Sequence, residues 1–279
     1  MCDIKVSIIG LGFVGSAIHK SFNLKGFKNN INLFTYDKFK DDGIGNLNDC
    51  LETDIMFLAL PTVYKEDLGQ YDKKPILETC IFLSNNKYKG AIIIKSTVEP
   101  ETTHKLSELF TDLEFIHNPE FLTARTAFDD FHNQTHIVLG KGPNCSDENF
   151  NKVIDFYNNY YPDAEISLGT SLESESMKSF VNCFYSIKVQ FFTELYLLCK
   201  KNGSNYDTIK NMMLKNNWIN PMHTNIPGPD GQISYGGLCF PKDTNALNKY
   251  MLKNESPNKV LEATIKERNE MRNDNCNSY

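Results

Sequence analysis

"KVSIIGLGFVG" runs from Lys5 to Gly15 and joins an apolar run to three spaced glycines. Lys5–Ile9 is a short apolar, β-branched run, which predicts a strand buried on both faces. Gly10, Gly12 and Gly15 then fit G-x-G-x-x-G, with Phe13 and Val14 between the second and third glycines. "SAIHKSFNLKG" continues as a helix stopped at Gly26. A glycine turn between a strand and a helix fits a dinucleotide-binding turn, the alternative being a turn that holds nothing. The first glycine allows the tight turn, the second lets backbone N–H groups reach the pyrophosphate, and the third lets helix and strand pack closely.

Working outward, "INLFTYD" predicts a second strand that ends on an acid, Asp37. An acid there would bond ribose hydroxyls and repel a 2′-phosphate, so the expected cofactor is NAD, with Lys38 and Lys40 beside it. Further strands are expected at Asp54–Pro61, Ala91–Ser96, Glu114–Asn118, His136–Gly140 and around Ile166. Helical patterns fall between several of them, at Pro75–Leu83, Thr102–Phe110 and Glu148–Tyr157. This rhythm predicts an α/β, Rossmann-like, doubly wound and mostly parallel sheet.

The second half reads differently. Leu172–Lys201 predicts one long helix, capped by Ser171 and ended at Asn202-Gly203. Three more helices are expected at Tyr206–Asn216, Thr244–Leu252 and Asn258–Arg272. Two domains follow: 1–169 for the dinucleotide, and 170–279, helical and suited to dimerisation. On the long helix, Glu175, Lys178 and Asn182 are spaced so that Lys178 and Asn182 share a face. One reading is a surface ion pair of Glu175 with Lys178. The other is a lysine buried by Met177, Phe180, Val181, Phe184 and Tyr185, able to stabilise an oxyanion or move a proton.

Bulk properties exclude several classes. The chain has 279 residues, 41% hydrophobic and 23% charged, with a net charge of −6. No basic stripe interleaves with aromatics, so no nucleic-acid partner is expected. The N-terminus lacks the pattern of a secretory signal, and no apolar run reaches the roughly 18 residues of a membrane span. A cytoplasmic protein with its 8 cysteines as free thiols is expected, without a membrane and without a bound metal.

"YGGLCFPKD", Tyr235 to Asp243, sets Cys239 between glycines and a lysine–aspartate pair. Local sequence alone leaves open whether that thiol is a nucleophile or a packed side chain. Together with "GLGFVG" and Asp37, "KSTVEPETT" (Lys95–Thr103), "NPEFL" (Asn118–Leu122) and the Glu175-x-x-Lys178-x-x-x-Asn182 pattern, it makes the chain resemble the UDP-glucose / GDP-mannose dehydrogenase family. The resemblance covers nearly the whole chain, from Ile4 to about Arg272.

The resemblance implies an NAD-dependent, four-electron oxidation of a nucleotide sugar, UDP-glucose first among them, in a homodimer. It implies that Cys239 is the nucleophile, forming a thiohemiacetal and then a thioester. Lys178 and Asn182 would hold the oxygen at C6, Asp243 would position water, and Glu120 would assist hydrolysis as a general base. Thr97 would orient water or the cofactor, and Pro61, Thr62 and Ser96 would line the cofactor with it. Phe121, Leu122, Tyr235, Gly236 and Gly237 would line the substrate.

Several positions depart from the family pattern. Ala124 stands where a second glutamate is common, and Arg125 beside it could bind an anionic group. Leu238 precedes the cysteine where a smaller residue is expected. The chain stops near where a third, nucleotide-gripping domain is expected to begin, and Pro227–Gly231 could replace some of its contacts. Two other readings compete. One is a two-domain 3-hydroxy acid dehydrogenase with a single hydride transfer, and the other is a non-catalytic NAD-binding relative.

Overall fold

The computed structural model describes residues 4–123, 125–272 and 274. The position of Ala124 therefore lies outside the described residues, as do Cys2 and Cys276.

The chain divides into two compact units. The first holds 1–63 and 71–178, the second 64–70 and 179–279. In the first unit, β1 (Val6–Ile9), β2 (Leu33–Tyr36) and β3 (Ile55–Leu58) are each four residues long. After a hairpin of β4 (Tyr64–Lys65) and β5 (Gln70–Tyr71), of which 64–70 count with the second unit, the sheet resumes with β6 (Ala91–Ile94) and β7 (Glu114–His117). It is completed by β8 (His136–Lys141) and β9 (Glu165–Thr170). The seven-stranded order is β2-β1-β3-β6-β7-β8-β9. Every described pairing is parallel except β7 with β8.

The apolar runs are continuous because both faces are covered. Successive side chains alternate faces. Val6, Ile8, Ile55, Phe57 and Ile93 share one core with Ile18 and Phe22 of α1 (Phe13–Leu24) and with Val153 and Phe156 of α5 (Asp147–Tyr160). Ile9, Met56, Leu58, Ile92 and Ile94 pack on the other face with Ile76 and Leu83 of α2 (Lys74–Asn85) and Leu106 of α3 (Thr102–Leu109). A short α4 (Ala127–His132), which the sequence pattern does not announce, adds Phe131 to the first core.

α6 runs from Ser171 to Asn202, and the division between the units falls inside it after Lys178. Its cap differs from the expectation. Thr170, not Ser171, takes the N-cap role: its Oγ1 accepts from Glu173 N at 3.2 Å, and the Glu173 carboxylate accepts from Thr170 N at 2.7 Å. That reciprocal pair is a capping box.

The second unit adds α7 (Tyr206–Leu214), α8 (Phe240–Lys253) and α9 (Lys259–Met271). Its apolar clusters are small. One is built on Phe192, Cys199, Tyr206 and Ile226, another on Cys183, Leu247 and Leu261. Among the described residues, no helix is long and apolar enough to cross a membrane.

Candidate active site

The glycine turn closes β1. Gly10 has φ +90°, and a Cβ there would lie 2.5 Å from the Ala59 carbonyl oxygen at the end of β3. A Cβ on Gly15 would lie 1.8 Å from the Gly10 carbonyl oxygen, so the third glycine is demanded by strand–helix packing. No protein atom lies within 4 Å of a Cβ built on Gly12. Packing therefore does not call for glycine at position 12. Room for a ligand above the turn, at the head of α1, does.

Asp37 follows β2, and its carboxylate lies on the turn. It accepts from Leu11 N at 2.7 Å and from Phe39 N and Lys40 N at 3.0 Å. Although partial burial works against ionisation, these N–H bonds and the Lys40 charge hold the carboxyl below its ordinary range. Lys40 Nζ donates to Leu11 O at 2.8 Å and to Ser16 Oγ at 3.0 Å. Lys38 and Phe13 are exposed beside the turn.

The strand order reverses at β1, with β2 on one side and β3 on the other. Beyond the carboxyl ends of such strands lies the ligand crevice of an open α/β sheet. Pro61, Thr62, Ser96 and Thr97 follow β3 and β6. Ser96 Oγ donates to Leu60 O at 2.7 Å, and Thr62 Oγ1 donates to Thr97 O at 2.8 Å. These bonds tie the two loops together on the side where a dinucleotide fits.

At the ends of β6 and β7 lies a polar cluster. Lys178 Nζ donates to Glu120 O at 2.6 Å and stands 3.5 Å from Glu120 Oε1. The Lys178 side chain is buried and that of Glu120 nearly so, and Glu120 Oε2 has no hydrogen-bond partner. The Lys178 ammonium is 5.3 Å from the centre of the Phe121 ring. His117 Nδ1 meets Ser174 Oγ at 2.8 Å. Burial, with the Lys95 and Lys178 charges, pushes His117 down to about 3, so it is neutral.

The pairing of Glu175 with Lys178 at the surface is not what the structure holds. Glu175 is fully buried, and its Oε1 accepts from Thr103 N at 2.7 Å and Thr103 Oγ1 at 2.6 Å at the head of α3. Burial pushes its carboxyl up to about 7, despite those bonds. Lys178 is buried as expected, but two of the aromatics named for its wall are exposed. Phe180 and Phe184 are 56% and 61% exposed, while Ser174, Glu175, Ser179 and Asn182 are buried. Around Lys178 the inward positions of α6 are polar, and Phe180 and Phe184 face out.

In the second unit, α8 begins at Phe240, so "FPKD" forms its first turn and Cys239 takes the N-cap position. Asp243 does not cap the helix. It is 1% exposed, and its Oδ2 accepts from Asn182 Nδ2 at 2.6 Å while Oδ1 meets Lys242 Nζ at 2.7 Å. Among the six described cysteines Cys239 alone is exposed. Burial pushes the Cys50, Cys80 and Cys145 thiols up to about 12, and Cys183 higher still. Tyr235 is buried, and Gly237 has φ +77°. A Cβ on Gly236 would lie 2.3 Å from the Arg272 guanidinium, which donates to Asp230 and Asp274.

Lys95 is absent from the sequence-derived set. Its signal is a lysine placed directly after "AIII", a strand buried on both faces.

A doubly wound unit with a dinucleotide turn, followed by a helical unit bearing an exposed cysteine, is the plan of an NAD-linked dehydrogenase. The chain belongs to the UDP-glucose/GDP-mannose dehydrogenase family: residues 44–160 match its NAD binding domain and 172–270 its central domain. The glycine turn, the open space at Gly12 and the ionised Asp37 fit NAD, which is the cofactor of the first unit.

Among relatives, a UDP-glucose 6-dehydrogenase of Campylobacter jejuni is 28% identical over 96% of this chain and 72% of its own length. One from Rickettsia typhi is 32% identical over 78% of this chain and 50% of its own. The chain thus spans about half the length of several curated relatives it matches. A UDP-glucose dehydrogenase structure from Pyrobaculum islandicum superposes with a TM-score of 0.81 at 21% identity, covering 96% of this chain and 68% of that one. A Mycobacterium tuberculosis 3-hydroxyisobutyrate dehydrogenase superposes at 0.73 with 13% identity, covering 96% and 93%. At these identities the likeness is one of fold.

Proposed function

We propose that this chain oxidises a nucleotide sugar, UDP-glucose first, to its uronate, using two NAD and a covalent bond to Cys239. The observation that carries the reading is the exposed Cys239 at the head of α8, in a protein whose other described thiols are buried. A thiol that need only pack is buried, whereas a nucleophile must be reached.

NAD, when bound, accepts the hydride lost in each oxidation. The chain's own groups do the rest. Lys178, with its ammonium fixed by Glu120, stabilises the oxygen at C6 as its hydroxyl proton leaves to water and negative charge gathers there. Asn182 has its amide oriented by Asp243 and serves the same oxygen. The Cys239 thiolate adds to the aldehyde carbon, forming a C–S bond, and the aldehyde oxygen takes a proton. Loss of the second hydride, with that proton passing to water, leaves a thioester. Water then adds, the C–S bond breaks, and carboxylate and thiol are released. Glu120 accepts the proton of that water. Thr97 and Ser96 hold the cofactor side.

The outward stripe of Phe180, Phe184, Phe191 and Leu198, each over half exposed, supports a homodimer built on α6. Sedimentation of Phe184→Asp/Phe191→Asp tests it: monomers are expected, and an unchanged dimer would rule α6 out as the seam.

The test of the activity is the NADH yield per UDP-glucose consumed with NAD in excess. The reading requires two. One per sugar, or none with NAD bound, contradicts it.

A further inference from the structure

The first unit buries a second lysine near Lys178. Lys95 follows β6, and Asn118 follows β7; Ile94 and His117 are paired in register, so the two residues are neighbours at the carboxyl ends of parallel strands. Lys95 is 2% exposed. Its Nζ donates to Asn118 Oδ1 at 3.1 Å and to Pro119 O at 3.4 Å. Asn118 is held on every side. Its Oδ1 also accepts from Tyr157 OH, its Nδ2 donates to Val138 O at 2.8 Å, and its N donates to Ile94 O at 3.0 Å.

We infer that Lys95 is a positioning residue: its amine fixes the Asn118–Pro119 corner and so sets the carbonyl and carboxylate of Glu120 against Lys178. A buried amine bonded only to neutral acceptors is costly, and a fold keeps such a group where it does something that an apolar side chain would not. Here the next residue along is Glu120, whose carbonyl and carboxylate both face Lys178. The groups that bear on Lys95 are Glu120, Lys178, His117, Tyr157 through Asn118, and the Phe131 ring at 5.6 Å. Burial, opposed by Glu120 and reinforced by Lys178, brings the amine down to about 7. The corner therefore holds a lysine whose charge changes near neutrality.

The inference rests on the proposed reaction for its catalytic consequence and on the protein alone for its structural one, so the test reads both. Lys95→Met, which keeps the length and the burial, and Tyr157→Phe, which removes one hydroxyl from the same corner, are compared with the parent protein. Amide hydrogen exchange is expected to speed up at least tenfold at 118–123 in Lys95→Met, and severalfold in Tyr157→Phe, with protection of β1 and β3 kept. NAD affinity should stay within threefold. In NADH formation from UDP-glucose, kcat should fall at least thirtyfold with KM within threefold in Lys95→Met. Unchanged exchange at 118–123, or equal loosening across the sheet, overturns the inference. A parent protein inert toward UDP-glucose would count against the proposed reaction, while the exchange result still decides the role of Lys95.

Discussion

Lys178 donates from Nζ to the Glu120 carbonyl at 2.6 Å and lies 3.5 Å from the carboxylate of the same residue. One ammonium thus grips both the backbone and the side chain of the residue proposed as general base. Breaking such a buried pair leaves an uncompensated charge, at a cost of about 3 kcal/mol.

A double-mutant cycle follows. Glu120→Gln should lose about 3 kcal/mol in denaturant unfolding, and Lys178→Met a similar amount. The double variant should lose clearly less than their sum, because no lone charge remains. Both singles should slow NADH formation at least a hundredfold and leave NAD affinity within threefold. Additive stabilities would show that the pair is not coupled.

Glu175 gives stability a defined pH dependence. Its folded value of about 7 lies above the ordinary 4.5, so the folded protein keeps a proton that the unfolded chain has lost. That contribution is complete below about pH 4.5 and is lost as pH rises through about 7. His117, held down to about 3, acts in the opposite sense, its contribution being lost as pH falls through its unfolded value. Comparison with Glu175→Gln isolates the first effect. The variant should gain on the parent by on the order of 2–3 kcal/mol between pH 5 and pH 8. A constant difference across that range would mean that Glu175 is ionised throughout.

The three glycines should separate by role. Gly15→Ala drives a Cβ toward the Gly10 carbonyl and should lower the melting temperature sharply. Gly12→Ala meets no protein atom and should melt like the parent while binding NAD at least tenfold more weakly. Equal NAD affinity in Gly12→Ala would remove the argument that space is reserved above the turn.

Thiol chemistry distinguishes Cys239 from its neighbours. In a Cys2→Ser/Cys276→Ser background, a chromogenic disulfide reagent at pH 8 should modify one thiol quickly and the rest only on unfolding. Adding Cys239→Ala should abolish the fast phase. A fast phase that survives would place the reactive thiol elsewhere.

Much of the first unit was legible because continuous apolar runs such as "AIII" admit few readings when glycine turns and helical patterns bracket them. The hairpin at Tyr64–Tyr71, most of which counts with the second unit, was not, since strands of two residues carry no period. α6 shows the harder limit. Phe180 and Phe184 read as the wall around Lys178, yet the buried stripe is Ser174, Glu175, Lys178, Ser179 and Asn182. A pattern of apolar residues reports which face seeks cover, not what covers it. The same limit hid Glu175, which reads as a surface partner of Lys178 in sequence and belongs in space to the head of α3. Lys95 was missed because a lysine at a strand end reads as solvated. The cysteine motif was legible as a motif, and the structure adds that its thiol is reachable and that Asp243 holds Asn182.

The most direct measurement is product analysis of Cys239→Ala by mass spectrometry after incubation with UDP-glucose and NAD. No uronate and at most one NADH per sugar are expected, the aldehyde or its hydrate being the furthest product. Uronate formed at the parent rate would contradict the covalent role of Cys239.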